Sequence, residues 1–511
     1  MKFRIQKSDY IIGRRTAFLN IYDAEALGVK ENSRIIVDFG NYNSIFFVSL
    51  SKNQVNRSEV IITADFSNEI NDEFVNIMPA PPLKSVDSIK RKIYGKKLLQ
   101  DDFESIIKDI NDENLSQIEL SSYVTSLQTV GLDDDEIIYL INSMVSHGEK
   151  INFEYEVYDV HSIGGVPGNK YALITVPILA SLGLKVPKTS SKAITSAAGT
   201  ADVMEVLANV NLKAEEIKKI VDSVGATLTW GGSINIAPAD DKIIKVEQPL
   251  GIDPIPQLIS SVLSKKVATS IRYLLIDIPM GNETKVQDEQ SARSLAEKFI
   301  RIGNRIGLKI ECAITYGGQP LGRAIGPAIE AQEALRALEG KQTSNSFIVK
   351  SLEIAALMLE ISGISERGEG IEIARDTLRN GKAREKFFEI VNAQGSKGIE
   401  KSEDIQLGEF TYDILSGFDG YISYLSNRSL VEIARILGAP HIKEAGLWVY
   451  KKIGDKVEKN EPVLRLYSKN KEKLEQAVRL SRKIKLYSIE GMVIENIPDI
   501  KRSKRIWEVK E

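Results

Sequence analysis

The stretch "FEYEVYDVHSIGGVPGNKYALITVPILASLGL" (153–184) contains three consecutive patterns. Alternation in 153–160 predicts a strand, the glycine-rich 161–170 predicts a loop, and the apolar 171–184 predicts a buried helix. Another apolar run, "YLLIDIPM" (273–280), predicts a second buried strand. Strands that alternate with helices indicate an α/β domain with a mostly parallel sheet. Ligands of such sheets bind where strands end and helices begin.

The segments on either side of this stretch have different patterns. Before about residue 78, β-branched and aromatic runs such as "FRIQ", "RIIVDFG", "SIFFVSLS" and "EVIITADFS" predict strands. The proline cluster "MPAPPLKS" (78–85) predicts a linker. Next, "DDFESIIKDINDENLS" has apolar residues three and four apart, and "DDDEIIYLINSMVSHGEKI" begins with acidic residues, so both predict helices. Near the C-terminus, "GLWVYKKIGDKVEKNEPVLRLYS" predicts a strand–turn–strand unit.

A chain of 511 residues is too long for one hydrophobic core. We therefore predict a multidomain α/β protein. Its four predicted domains are a β-rich N-terminal domain (1–84), a helical domain (85–155, joined by about 240–270), a large α/β domain (156–430), and a small α+β C-terminal domain (431–511).

Composition excludes several classes of protein. The formal net charge of −3 argues against wholesale nucleic-acid binding, which usually requires a basic excess. The single cysteine, Cys312, excludes an internal disulfide framework. No apolar segment has the pattern of a signal peptide or a membrane span, so we expect a cytoplasmic protein without a membrane partner. The three histidines lie far apart in the sequence without acidic or cysteine partners at ligand spacing, so we predict no metal site.

The loop "HSIGGVPGNK" (161–170) has residue types that suit an anion. Ser162, Gly164, Gly165 and Gly168 lie between a predicted strand and a predicted helix, where converging backbone N–H groups bind anions. The loop matches neither the P-loop nor the dinucleotide-binding motif. An anion site and a simple tight turn are both compatible with this loop alone.

A second loop, "KTSSKAITSAAGTADVMEVL" (188–207), contains six hydroxyl side chains just before an apolar helical pattern. Capping of one helix requires only one Ser or Thr, so six favour an oxyanion or sugar site. Cations occur in and beyond this loop, at Lys192, Lys265, Lys266 and Lys285. Each of these lysines alone is typical of a solvated surface. Two loops with separate cations suggest space for two phosphates.

The candidate for proton transfer is Asp253, in "PLGIDPIPQL". Apolar neighbours can raise the pKa of a carboxyl group into the range that general acids use. The alternative interpretation is an Asp-Pro turn without a chemical role.

Taken together, these motifs resemble those of the thymidine/pyrimidine-nucleoside phosphorylase family. The second loop resembles the family's signature, "HSIGGVPGNK" its phosphate loop, and "QPLGRAIGPAIEAQEAL" (319–335) a later glycine-rich helix start. The resemblance covers about residues 85–500. Within the family, the N-terminal β domain, "AITSAAGTAD" and "GGVPGNK" are most similar to the archaeal AMP phosphorylases. That similarity implies phosphorolysis of AMP, with CMP and UMP as further candidate substrates, to a free base and ribose 1,5-bisphosphate.

The resemblance also implies residue roles, no cofactor, and a homodimer or larger homo-oligomer. Asp253 would be the general acid, and Lys285 would contact the 5′-phosphate of the nucleotide. Phosphate would be held by Ser162, Gly164 and Ser190. The other implied nucleotide-binding residues are Gly165, Ser191, Lys192, Ala193, Ile194, Thr195, Ser196, Thr200 and Ser261.

Two departures from the pyrimidine enzymes favour the AMP subfamily. Val160 stands where they have a lysine, and "VEQPLGIDPIPQL" lacks the arginine that contacts the pyrimidine base. A thymidine or uridine phosphorylase remains the main alternative. A phosphoribosyltransferase would need paired acidic residues for Mg²⁺, which neither loop has. The C-terminal hairpin resembles biotinyl or lipoyl carrier modules, but a carrier would need a lysine in a short acidic or Met-rich turn, whereas the candidate turn here is "YSKNKEK".

Overall fold

The computed structural model describes residues 1–63, 73–193, 196–341, 343–491 and 493. These residues form two compact units. The first contains Met1–His147 and Pro238–Gln257, and the second contains Gly148–Ala237 and the described residues after Gln257. Within the described residues, no helix is both long enough and apolar enough to cross a membrane.

Six strands at the start of the first unit form a closed sheet in the order β1-β5-β2-β4-β3-β6. Their inward side chains, such as Phe3, Leu19 and Val60, are fully buried and form one core. The strand bounds are β1 (Lys2–Lys7), β2 (Thr16–Asn20), β3 (Arg34–Asp38), β4 (Asn43–Ser51), β5 (Glu59–Ile62) and β6 (Phe74–Pro79).

The four strands predicted in this region are confirmed, but β5 ends at Ile62 and residues 64–67 of its predicted run lie outside the described residues. Strands β2 and β6 and a short helix, α1 (Ile21–Leu27), were not predicted. The predicted linker is too long, because β6 runs to Pro79 and the next helix begins at Lys84.

The first unit also contains a group of helices. Their bounds are α2 (Lys84–Ile93), α3 (Gln100–Asn111), α4 (Gln117–Thr129), α5 (Asp134–Ser146) and α9 (Pro238–Leu250). Helix α3 buries the apolar face that its spacing predicts, including Phe103 and Ile107. The side chain of Asp133 accepts a hydrogen bond from the backbone N–H of Glu136, so the predicted acidic start of α5 is confirmed as an N-cap.

The second unit is built on parallel strands. Strand β10 (Tyr273–Met280) lies between β7 (Tyr158–Ser162) and β11 (Lys309–Tyr316), and β8 (Val186–Ser190) pairs with β9 (Ala226–Trp230). The mostly parallel sheet is therefore confirmed. The helices of this unit are α6 (Ala172–Ser181), α7 (Thr200–Met204), α8 (Ala214–Val224), α10 (Ile255–Ala268, which begins in the first unit), α11 (Glu289–Arg305), α12 (Pro327–Leu338), α13 (Asn345–Ser362), α14 (Gly370–Arg379), α15 (Lys382–Ala393), α16 (Asn427–Leu437) and α17 (Lys471–Ser481).

Two sequence predictions about these elements are wrong in extent. Strand β7 starts at Tyr158 rather than 153, because Glu154, Tyr155 and Glu156 are exposed and pair with no strand. Helix α7 has only five residues, and the chain turns after Met204 toward a bridge between Ala208 and Ser396. The buried helix and the strand predicted at 171–184 and 273–280 are confirmed.

The C-terminal part of the second unit, residues 410–490, is mainly antiparallel. One sheet has the order β12-β15-β17-β13 and another has the order β16-β14-β18. The predicted strand–turn–strand is confirmed by the pairing of β15 with β17. The strand bounds are β12 (Ala324–Ile325), β13 (Phe410–Leu415), β14 (Gly420–Leu425), β15 (Gly446–Val449), β16 (Lys456–Val457), β17 (Pro462–Ser468) and β18 (Tyr487–Glu490).

Candidate functional site

The site is built at the carboxyl ends of the parallel strands in the second unit. Strand β7 ends at Ser162, which pairs in register with Asp277 of β10, and β8 ends at Ser190. A backbone hydrogen bond of 2.9 Å from the N–H of Tyr158 to the carbonyl of Lys185 connects β7 to the start of β8. Each sequence-predicted loop therefore follows the carboxyl end of a parallel strand, β7 in one sheet and β8 in another, and α/β proteins bind ligands at such strand ends.

The first loop turns tightly around the hydroxyl of Ser162. That oxygen accepts hydrogen bonds from the N–H of Gly164, at 3.2 Å, and from the amide nitrogen of Asn169, at 2.9 Å. Gly165 has a φ of +89°, and a Cβ there would lie 3.0 Å from the backbone nitrogen of Lys285. A glycine at this position therefore lets two loops approach closely, and the structure brings predicted residues Gly165 and Lys285 together.

Lys285 belongs to a turn between β10 and α11 that is held by its own hydrogen bonds. The hydroxyl of Thr284 donates to the carbonyls of Gly281 and Val286, at 2.8 and 2.6 Å. The N–H of Gly281 also donates to the carbonyl of Val286, at 3.2 Å. The backbone that carries the exposed side chain of Lys285 is thus fixed next to the first loop.

Two buried lysines share one carboxylate just below these loops. The Nζ of Lys266 lies 2.6 Å from Asp159, and the Nζ of Lys188 lies 3.6 Å from its other oxygen. All three side chains are at most 6% exposed. Burial lowers the pKa of Lys188 to about 8, because the attraction of Asp159 only partly offsets burial and the repulsion from Lys266. Two cations against one anion leave a positive field at this edge.

His161 lies within that field. Its Nδ1 is buried without a hydrogen-bond partner among the described residues. Burial, followed by the charges of Lys266, Lys188, Lys265 and Lys285, holds the pKa of His161 well below its usual value. The imidazole is therefore neutral at pH 7, and four ammonium groups act on it. Such a concentration of positive charge suits a multiply charged anion.

The second loop folds around the carboxylate of Asp202. One of its oxygens accepts hydrogen bonds from the N–H groups of Ala193 and Gly199, at 2.6 and 3.0 Å. The hydroxyl of Ser190 donates to the carbonyl of Thr229 at 3.2 Å, and that of Ser196 donates to the carbonyl of Ala198 at 3.0 Å. These two hydroxyls therefore use their protons locally. Thr200 is the first residue of α7. Ile194 and Thr195 lie outside the described residues.

Lys192 is paired within the protein. Its Nζ lies 2.7 Å from Glu205 and 4.7 Å from the centre of the Trp230 ring. Burial alone would raise the pKa of Glu205, but hydrogen bonds and charges from Lys192 and Lys443 lower it. The charge of Lys192 is thus matched by a carboxylate.

Ser261 and Asp253 were predicted from the same region of sequence, but they belong to different units. Ser261 is half-buried on α10, four and five residues before Lys265 and Lys266, so all three share about one and a half turns. Asp253 belongs to the first unit, between α9 and α10. Its side chain is exposed, so the apolar surroundings that the sequence predicts for it are not found.

The sequence prediction missed the roles of Asp159, His161 and Lys188. Asp159 and Lys188 lie in buried strands, where charged side chains are rare unless they are paired. A charged residue inside a predicted buried strand was the available signal. Among the described residues, no three His, Cys, Asp or Glu side chains are grouped as metal ligands.

Three family models match the chain. Residues 86–148 match the glycosyl transferase family helical bundle domain, and residues 154–384 match the glycosyl transferase family a/b domain. Residues 421–487 match the pyrimidine nucleoside phosphorylase C-terminal domain. These matches define the class of the protein as a glycosyl transferase of the nucleoside-phosphorylase type.

Full-length relatives give a finer assignment. The chain is 45% identical over 499 residues to AMP phosphorylase 1 of Archaeoglobus fulgidus, covering 97% of this chain and 99% of that one. It is 46% identical to the AMP phosphorylase of Methanocaldococcus jannaschii, over 94% of this chain and 96% of that one. The enzyme of the same name from Thermococcus kodakarensis is 44% identical, over 98% of this chain and 100% of that one. The chain belongs to the AMP phosphorylase family, and the resemblance seen in its motifs is confirmed.

The fold also occurs in solved structures. Anthranilate phosphoribosyltransferase from Thermus thermophilus superimposes with a TM-score of 0.50 at 16% identity, covering 60% of this chain and 99% of that one. At this level of identity the likeness concerns the fold alone.

Proposed function

We propose that this enzyme catalyses phosphorolysis of AMP to adenine and ribose 1,5-bisphosphate. The observation that carries this proposal is the set of four lysine charges that act on His161, where the first loop leaves β7. A reaction that joins inorganic phosphate and a nucleotide brings several negative charges to one place. The names and coverage of the relatives support the same substrates.

In the proposed reaction, an oxygen of inorganic phosphate attacks the anomeric carbon of the ribose. The bond from that carbon to the base breaks, and its electron pair remains on the base. Asp253 gives a proton to the departing purine, and the sugar keeps its 5′-phosphate. The attacking phosphate releases its proton to solvent as the ester forms, and Asp253 takes a proton back from solvent, so the reaction balances. Positive charge develops on the sugar in the transition state, so placing the anionic nucleophile beside it lowers the barrier.

The proposed residue roles are assigned by the place of each residue in the two loops and in the matching motifs of the family. Ser162, Gly164 and Ser190 hold the attacking phosphate near Lys188, Lys266 and neutral His161, with the hydroxyl of Ser190 turning from the carbonyl of Thr229 to the anion. Lys285 binds the 5′-phosphate, and its closeness to Gly165 supports two adjacent anion subsites. The remaining nucleotide contacts are assigned to Gly165, Ser191, Lys192, Ala193, Ile194, Thr195, Ser196, Thr200 and Ser261. We propose that this chemistry needs no metal or organic cofactor.

Several finer features belong to the same proposal. CMP and UMP are further substrates. The chain has the four domains 1–84, 85–155 with about 240–270, 156–430 and 431–511. The enzyme works in the cytoplasm as a homodimer or a larger homo-oligomer.

A phosphate-dependent base-release assay across AMP, CMP, UMP, adenosine and thymidine tests the proposal, with the sugar product identified by phosphorus NMR. We expect AMP to give ribose 1,5-bisphosphate, and kcat/KM for adenosine to be at least about tenfold lower. Lys285→Ala should abolish most of that preference, whereas the exposed control Lys471→Ala should keep it. Preference for thymidine would instead indicate a pyrimidine-nucleoside phosphorylase. Strict dependence on Mg²⁺ and a diphosphate sugar would indicate a phosphoribosyltransferase.

A further inference from the structure

The turn that carries Lys285 is attached to the C-terminal part of the second unit through Glu283. One carboxylate oxygen of Glu283 accepts a hydrogen bond of 2.6 Å from the hydroxyl of Tyr424. The hydroxyl of Ser426 lies 3.1 and 3.0 Å from the two oxygens, and the N–H of Arg428 donates to one of them at 2.9 Å. We call these four residues the Glu283 contact. Three donors from one segment thus converge on a single side chain.

The electrostatics of the contact favour an ionised carboxylate. Ser426 is the N-cap of α16, and the partial positive charge of a helix N-terminus stabilises a carboxylate there. Burial alone would raise the pKa of Glu283, but the hydrogen bonds from Arg428, Tyr424 and Ser426 lower it. Glu283 is therefore ionised at neutral pH and holds donors that would otherwise lack a charged acceptor.

The backbone transmits the position of Glu283 to Lys285. Glu283 has a φ of +62°, a conformation that residues with a side chain rarely adopt. Thr284 is buried and bonded at both ends of the turn, to the carbonyls of Gly281 and Val286. Because Glu283 and Thr284 are both held by hydrogen bonds of their side chains, a shift of Glu283 displaces Lys285 two residues away.

We propose that Glu283 is a positioning residue through which Tyr424, Ser426 and Arg428 set the place of Lys285, and thereby the preference for a substrate with a 5′-phosphate. This inference rests on the proposed function, because it assigns Lys285 to that phosphate. It gives the C-terminal part of the second unit a role in substrate choice, through a residue that touches no substrate. An error of about 1 Å in the place of a binding group can cost as much as a hundredfold in activity.

The test compares kcat and KM for AMP and for adenosine in Glu283→Gln, Tyr424→Phe and a control. Glu283→Gln keeps the shape of the side chain but removes the charge and one acceptor. We expect KM for AMP to rise about tenfold, with kcat/KM for adenosine changed by less than about twofold. Tyr424→Phe removes one donor and should give a smaller change in the same direction. The control is Glu444→Gln, which removes a half-buried carboxylate that pairs with Lys469 and should leave kcat/KM for both substrates unchanged.

Lys285→Ala separates failure of this inference from failure of the proposed function. If Lys285→Ala abolishes the preference for AMP while Glu283→Gln and Tyr424→Phe keep it, the positioning role is overturned and the proposed function stands. If Lys285→Ala itself keeps the preference, the assignment of Lys285 fails and the positioning role fails with it. Equal loss of activity toward AMP and adenosine in Glu283→Gln would show a purely structural contact and would also overturn the inference.

Discussion

Asp159 is the one carboxylate that two buried ammonium groups share beneath the loops. One of its oxygens also accepts a hydrogen bond from the N–H of Val160 at 2.8 Å, so the carboxylate is fixed by its own strand. Removing one partner of a buried ion pair is costly because a charge is left without compensation. At this position two cations, Lys188 and Lys266, would remain.

Asp159→Asn should therefore lower the free energy of unfolding by about 3–5 kcal/mol. Inorganic phosphate should restore part of this loss, because a bound anion supplies negative charge near the same lysines. Thermal melting of the variant and the wild type, with and without phosphate, measures both effects. The control Asp288→Asn changes an exposed helix cap and should show no phosphate-dependent recovery. A variant that melts like the wild type would contradict this account of the cluster.

The pKa of Lys188 predicts a pH dependence of phosphate binding. With a pKa of about 8, Lys188 is charged below pH 8 and becomes neutral above it, so its attraction for an anion is lost as the pH rises. Lys188→Met should raise KM for phosphate about tenfold below pH 8. The ratio of KM in the variant to KM in the wild type should fall toward one above about pH 9. Phosphate's own ionisation cancels in this ratio. A KM ratio that stays constant from pH 6 to 10 would exclude Lys188 as the source of the pH dependence of phosphate binding.

Asp253 is the residue for which the chemical and the turn-forming interpretations differ most. If Asp253 protonates the departing purine, Asp253→Asn should lower kcat for AMP at least about a hundredfold, since general acid catalysis contributes two to four powers of ten. KM for AMP and the melting temperature should change little, because the side chain is exposed. Near-normal turnover would remove Asp253 from the mechanism. Asp241→Asn, which changes another exposed aspartate of the first unit, is the matched control.

At the scale of elements, the turn from β7 to α6 depends on a close approach between two loops. Gly168 has a φ of +73°, and a Cβ there would lie 2.4 Å from the carbonyl oxygen of Leu321 and 2.7 Å from that of Ala324. Both obstacles are backbone atoms, so they cannot move aside as a flexible side chain does. The sequence pattern predicts a loop here, whereas the packing explains why this position requires glycine.

Gly168→Ala should therefore destabilise the protein by more than strain at a positive φ alone, which costs about 1 kcal/mol. Gly183→Ala is the matched control, because Gly183 has a φ of +94° and no atom within 4 Å of an added Cβ. We expect the free energy of unfolding to fall by at least about 2 kcal/mol more in Gly168→Ala than in the control. Melting temperatures of the two variants give the comparison, and equal losses would show that the clash is relieved.

For the whole molecule, the formal net charge is −3, although the candidate site is strongly positive. A slightly acidic chain therefore still contains a local group of cations, as expected for a site that binds a small anionic ligand. The four lysines that act on His161 belong to the second unit.

Hydrogen exchange should reveal this localisation. Phosphate at about 100 times its dissociation constant stabilises the state that binds it by about 2.7 kcal/mol. We expect slower exchange in the segments 160–170 and 186–193, and unchanged exchange in 1–147. Lys188→Met should weaken the protection at equal phosphate concentration. Equal protection throughout the chain would indicate that phosphate binds elsewhere.

The sequence by itself determined the elements whose patterns are local. Helix α3, the buried helix α6 and strand β10 were predicted because periodicity and burial are set by neighbouring residues. The family could be identified from the two loops because their motifs are also short runs of neighbouring residues. Only the tertiary structure decided the charge cluster, since Asp159 and Lys266 are 107 positions apart. It also decided the short extent of α7 and the attachment of Glu283 to Tyr424, 141 positions away, because these depend on which distant segments pack together.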